Sequence, residues 1–286
     1  MREQGGSETV FTPTQFLPAD LVLTELSHHG GRSVMKRSIP ELVVLAMLAG
    51  GYITAGALFS VIISANTDNA GIAKLLEGFG FSVGFFMVML TGTLLFTEAN
   101  VEMPATLLGR MPGVPAWRIL RMWTIAAFGN LAGAFVVGII IAQAHSYSPE
   151  VNEHLQGIIA GKLSYRDIGG VEGWSRAVLS GVLGNWMVGM AAFLSTMGRS
   201  IIGKYIPVLL VVMVFIVSGY LHSPANMAFF GIAEAQGLGQ GWGTSLAWGV
   251  APAAVGNVLG GLFLVAFPFW FLTRDRRAAL EAKGAA

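Results

Sequence analysis

Charge and apolarity vary along this chain on the scale of whole helices. Residues 42–67, 78–97, 122–149, 177–198 and 205–233 contain no Asp, Glu, Lys or Arg, and 235–273 is uncharged as well. A helix needs about 20 apolar residues to cross the hydrocarbon core of a bilayer. The runs predict six spans, at 41–64, 79–108, 119–143, 176–196, 204–235 and 244–272. The second and fifth are too long and irregular for one straight helix. They carry Gly92, Pro104, Gly219 and Pro224 among clustered polar residues, so each reads as a helix broken in mid-membrane. This divides the chain into an N-terminal segment 1–38, a transmembrane domain 39–273 and a tail 274–286. A short amphipathic helix is expected around Pro18–Leu26.

Composition strengthens this picture. Hydrophobic residues make up 54% of the 286 and charged ones only 12%, against about 25% charged in soluble domains. There is no cysteine, so disulfides and thiol chemistry are excluded. A net charge of +1 gives no sign of a nucleic-acid partner. The first apolar run is long enough to span, so it is not read as a cleavable signal. On the six-span reading, 13 Lys and Arg fall on the side holding both termini, and only Lys74, Lys162, Arg166 and Arg176 on the other. The positive-inside rule then places both termini in the cytoplasm of a multi-pass protein.

The halves of the chain resemble each other. Gly92 to Asn100 is matched by Gly219 to Asn226, Gly129-Asn130 by Gly256-Asn257, and Gly51-Tyr52 more weakly by Asn185-Trp186. Three spans is an odd number, so the second copy is expected upside down. An inverted 3+3 repeat with a broken helix in each half points to a transport path near the bilayer midplane.

The breaks supply the candidate chemistry. Lipid cannot satisfy the backbone groups freed there, so a break must face protein or a water-lined cavity. The first offers Thr97, Glu98 and Asn100, and the second His222, Ser223 and Asn226, with apolar residues on either side. His222 is the only histidine inside a predicted span, and an ionisable group there marks a functional site. Glu98 reads as a cap on the half-helix that follows it. Asn130, Asn185 and Asn257 read equally as interhelical glue and as pore lining. No residues are spaced to hold a metal or to form a catalytic set, so no cofactor and no enzyme activity are expected. An intramembrane enzyme using His222 and Glu98 and a neutral-solute or ammonium-like cation pathway using Glu98 are the alternatives to a channel.

Phe96-Thr97 after an apolar half-helix resembles the first break of the formate/nitrite transporter family. Ser218-Gly219-Tyr220-Leu221-His222-Ser223-Pro224-Ala225-Asn226-Met227 resembles the second. The resemblance covers residues 30–275. It implies an all-α, aquaporin-like fold, a homopentamer in the bacterial inner membrane, and one pore per protomer. The implied substrates are small monovalent anions: formate first, then nitrite or hydrosulfide. It also implies His222 as the central histidine, Thr97 as its partner, Asn257 as a pore asparagine, and Phe85 and Phe215 as the two apolar constrictions. Three positions depart from the pattern. Leu221 stands where Glu is common, Glu98 where a small or uncharged residue is common, and Gly169 where the outer vestibule commonly has Lys. Arg166 and Lys162 are the candidate replacements for that lysine.

Overall fold

The computed structural model describes residues 16–108 and 114–274, and every regular element in it is a helix. Five helices are long and apolar enough to cross a membrane: α2 (Ile39–Ser64), α3 (Ala70–Thr91), α5 (Ala116–Ala144), α8 (Gly170–Met197) and α11 (Trp242–Arg274). Shorter helices complete the described residues: α1 (Ala19–Lys36), α4 (Phe96–Leu108), α6 (Pro149–Leu163), α7 (Tyr165–Ile168), α9 (Ile201–Val217) and α10 (Ser223–Ala235). Helix α11 contains two π-helical stretches, Ser245–Val250 and Gly261–Ala266.

Local chemistry explains several boundaries. Ser38 and Glu41 form a reciprocal capping box at the start of α2. Asn69 caps α3 by accepting from the amides of Gly71 and Ile72. Helix α3 begins nine residues before the expected span because Lys74 and Glu77 form an ion pair of 2.7 Å, so the charges carry no signal to stop. Each break opens at a glycine in the left-handed region, Gly92 at φ 62° and Gly219 at φ 68°. A side chain there would be strained, so these residues end α3 and α9 cleanly.

Small residues set the helix crossings. A Cβ on Gly133 of α5 would strike the Met47 carbonyl of α2, and one on Gly260 of α11 would strike the Val182 carbonyl of α8. Close backbone approach through such residues replaces the hydrophobic drive that lipid removes.

Two regions differ from expectation. The N-terminal helix runs to Lys36, well past Leu26. Leu17, Val22, Leu23 and Leu26 bury an apolar edge with Phe193 of α8 and Val101 of α4, so this segment is docked on the membrane domain. The loop after α5 is built from α6 and α7. Val151, Leu155, Ile159 and Leu163 form an i, i+4 stripe that buries α6 in the main core. Residues 1–15, Arg110 and the tail beyond Arg274 lie outside the described residues.

Candidate functional site

Two extended segments, 93–95 and 220–222, join the half-helices, and asparagines hold both in the same way. At the first break Asn130 Oδ1 accepts from the Phe96 amide at 2.9 Å, and its Nδ2 donates to Leu94 O and Ala46 O. At the second break Asn257 Oδ1 accepts from the Ser223 amide at 2.8 Å, and its Nδ2 donates to Leu221 O and Gly181 O. The amide bonds span 34 residues in both cases and the bonds back to the extended leucine span 36. The matching register therefore pairs Gly92 with Gly219 and Phe96 with Ser223. Asn100 falls opposite Met227, one residue away from the Asn100–Asn226 match suggested by the sequence.

The Ser223 hydroxyl also donates to Asn257 Oδ1 at 2.9 Å. Both donors and both acceptor positions of this carboxamide are then occupied. Asn257 positions the break and has no bond left for a passing solute. Asn185 ties the two breaks together, donating to Thr97 O at 3.2 Å and to Asn257 O at 2.7 Å.

His222 and Thr97 stand 125 residues apart in sequence and meet at 2.7 Å, Nε2 to Oγ1, both fully buried. His222 Nδ1 accepts from the Ala225 amide at 3.3 Å and so caps α10. In the neutral ring the proton is therefore on Nε2, donated to Thr97. The ring of Phe215 meets the imidazole edge-on at 5.3 Å.

Above the imidazole is an aromatic layer that sequence reasoning described only in part. Phe215 packs against Phe81 at 6.0 Å, and Phe81 stacks on Phe229 at 5.9 Å. Phe85, named as a constriction, is buried one helical turn further along α3 than Phe81, about 6 Å deeper. The missed residue, Phe81, carried no mark distinguishing it from the other phenylalanines of an apolar run.

Phe229 also lines a vestibule of about 730 Å³ formed by α6, the start of α3, the end of α9 and the loop before α3. Lys162 stands at its floor, donating to Asn226 Oδ1 at 2.9 Å with its ammonium 5.0 Å from the Phe229 ring centre. Desolvation there pushes the Lys162 ammonium down to about 8. Of the two candidates to replace a lysine at Gly169, Lys162 reaches the break; Arg166 instead meets Gln240 at 3.5 Å.

Glu98 lies in the first turn of α4, partly exposed, with Glu102, His29 and Lys204 as its electrostatic neighbours. The amide that opens this half-helix is held by Asn130. Glu102, one turn on, is buried and meets His29 Nδ1 of α1 at 2.8 Å. Among the described residues no group of three His, Asp or Glu is placed to hold a metal.

Known proteins resemble this chain in sequence and in fold. A probable formate transporter of Methanothermobacter thermautotrophicus is 29% identical over 254 residues, covering 82% of this chain and 90% of that protein. The formate channel FocA of Escherichia coli K12 is 27% identical over 249 residues, covering 80% and 85%. A solved pentameric formate channel with formate bound superposes with a TM-score of 0.69 at 23% identity, covering 83% of this chain and 98% of that one. A solved FNT family ion channel gives 0.71 at 17% identity, covering 89% and 98%. The sequence model of the formate/nitrite transporter family matches residues 22–271, and the chain is a member of that family of membrane transport proteins.

Proposed function

We propose that this protein is a channel for small monovalent anions, formate foremost and nitrite or hydrosulfide next, with passage linked to a proton at His222. The observation that carries the reading is the 2.7 Å bond from His222 Nε2 to Thr97 Oγ1, which joins the two breaks inside a fully buried, largely apolar shell. A bare anion in such a shell costs several kcal/mol, and the neutral acid avoids most of that cost. An imidazole there can lend or accept the proton. Phe215 and Phe85 act as the constrictions on either side, with Phe81 completing the first. The six-span inverted repeat is part of this proposal: α3–α4 and α9–α10 are each one interrupted span, supported by the matched asparagine bonds. So are a homopentamer and an inner-membrane location with both termini cytoplasmic, the vestibule facing outward. The pentamer rests on the solved formate channel of the same fold.

The test is flux into proteoliposomes across formate, nitrite, hydrosulfide, lactate and ammonium. Wild-type protein passes formate, and His222→Asn keeps assembly but changes the pH dependence of formate flux by at least about tenfold between pH 5 and 8. An unchanged profile assigns His222 to structure alone. A second reading, a cation path, has one observation in its favour: Glu98 and Glu102 stand side by side on α4. Ammonium flux that disappears in Glu98→Gln, with no formate flux in wild type, replaces the anion reading by that one.

A further inference from the structure

Glu77 is a buried carboxylate that the His222 mechanism does not use. It is 5% exposed, on the vestibule wall of α3. Burying a carboxylate is costly unless it is paired and hydrogen-bonded, and two side chains attend to this one. Lys74 Nζ donates to both of its oxygens, at 2.9 and 2.7 Å, and His154 Nε2 lies 3.2 Å from Oε1.

The hydrogen bonds fix the tautomer of His154. Ser64 Oγ donates its proton to Ser60 O at 2.7 Å. Toward His154 Nε2, at 2.8 Å, the hydroxyl can therefore only accept. The proton is on Nε2, directed between Ser64 and Glu77. Nδ1 is then the atom that takes a second proton, and it has no partner among the described residues. The side chain is 23% exposed and lines the vestibule.

We propose that Glu77, His154 and Lys74 form a proton-binding site in the vestibule, separate from His222, and that its occupancy sets how readily the vestibule admits an anion. The ligand is a proton from the solvent on the vestibule side, bound at Nδ1 beside the Glu77 carboxylate. This rests on the anion reading above. The charged residues that line the cavity with His154 are Lys74 and Glu77 from α3, Asp68 from the loop before it, and Glu150, Glu153 and Lys162 from α6. Helix α2 offers the Ser64 hydroxyl, and the end of α9, the second break and α10 contribute Ile216, Gly219, Tyr220 and Phe229, none of them charged. With the imidazole neutral, four carboxylates face two ammonium groups, so the mouth repels anions. A proton on Nδ1 cancels part of that excess. Charge at the mouth of a cleft acts on the rate of entry. The same helix carries Lys162 eight residues on, so the proton-binding residue and the cation at the floor are held on one rigid element.

The test separates the two faces. Protein reconstituted in one orientation is given formate at pH 7.5 on both sides, and pH is then lowered to 5.5 on one side at a time. Formate stays ionised across this range. In wild type the step on the vestibule side raises entry from that side by about threefold more than in His154→Gln. Gln keeps a donor toward Ser64 and Glu77 and cannot take the second proton. The step on the other face affects both proteins equally. A vestibule-side response that survives intact in His154→Gln overturns the proposal. Nitrogen-15 histidine spectra of full-length protein in nanodiscs, assigned with the same variant, read the proton directly. A His154 Nδ1 that takes up no proton between pH 5 and 8 also overturns it, whether or not any anion is passed. If wild type passes no anion but Nδ1 titrates, only the role in admission fails, together with the anion reading.

Discussion

The two breaks are framed alike and filled differently. Each begins at a left-handed glycine, runs through three extended residues, and restarts as a helix whose first amide is held by an asparagine 34 residues on. In this register Leu95 stands opposite His222, Thr97 opposite Pro224, Val88 opposite Phe215, and Glu98 and Glu102 opposite Ala225 and Phe229. The frame is repeated because any break in lipid must satisfy the same freed backbone groups. On the channel proposal the contents need not repeat, because a solute would meet them in series. One half supplies the imidazole and the other its hydroxyl partner, so neither half alone makes the His222–Thr97 bond.

The largest effect should come from the frame. Asn130→Ala and Asn257→Ala each leave two buried backbone groups of a break without a partner, the opening amide and the extended leucine's carbonyl, and such groups cost about 1–3 kcal/mol apiece. Each variant is expected to lose roughly 2–6 kcal/mol, seen as a large fall in the thermal midpoint in detergent, and the two losses should agree within about 1 kcal/mol. A full loss at one asparagine and almost none at the other would mean that the breaks only look alike.

How much of this could be read in the sequence depended on how local the signal was. The apolar runs gave the helices, because a span shows in any window of its length. His222 was visible as the one imidazole in such a run, and Thr97 was paired with it only through the resemblance to the formate/nitrite transporters, since 125 residues separate them. The repeat was visible, but its register slipped by one because Asn100 and Asn226 look equivalent, and only the hydrogen bonds of Asn130 and Asn257 correct it. Helix α6 was missed because its apolar face is a single i, i+4 line, Val151 to Leu163, in an otherwise polar loop. That stripe was the available signal. Without α6, Lys162 was placed only through the resemblance, as a candidate vestibule lysine, and His154 was not placed at all. The cluster of Glu77, Lys74 and His154 joins two helices and could not be foreseen from either.

A smaller effect should come from the filling. Phe215 is the aromatic member of the pair whose counterpart is Val88, and it contacts both Phe81 and His222. Phe215→Val gives the second half the residue of the first. The barrier between vestibule and waist should then open, with formate flux rising about fivefold and lactate admitted, if the apolar layer sets the rate. Phe81→Val should behave in the same way and Phe85→Val should act on the other constriction. Gel filtration and the thermal midpoint show whether each variant remains assembled. Assembled variants with unchanged flux and selectivity would make these rings ordinary packing residues, and the contrast between Val88 and Phe215 would carry no function.

The smallest expected effect separates the two ends of the path. The vestibule floor holds an ammonium, Lys162, over the Phe229 ring, whereas the position opposite Phe229 in the first half is the carboxylate Glu102. Desolvation pushes Lys162 down to about 8. Below that pH it is charged and attracts an anion toward the aromatic layer; above it the charge is lost. Formate entry from the vestibule side should therefore fall about threefold as pH on that side rises from 7 to 9. The effect on stability has the opposite sign. Between about 8 and about 10.4, the ordinary value for lysine, the unfolded chain binds the proton that the folded one has released, so the contribution of this group to stability rises with pH. A fall in flux without a fall in the thermal midpoint is thus the signature of Lys162, and it sets titration apart from alkaline unfolding. Lys162→Arg keeps its charge through this range and should remove the fall. Raising pH on the opposite face should leave the Lys162 component untouched. A decline of equal size from both faces, or one that persists in Lys162→Arg, would assign the alkaline loss to some other group and remove the functional contrast between the two ends.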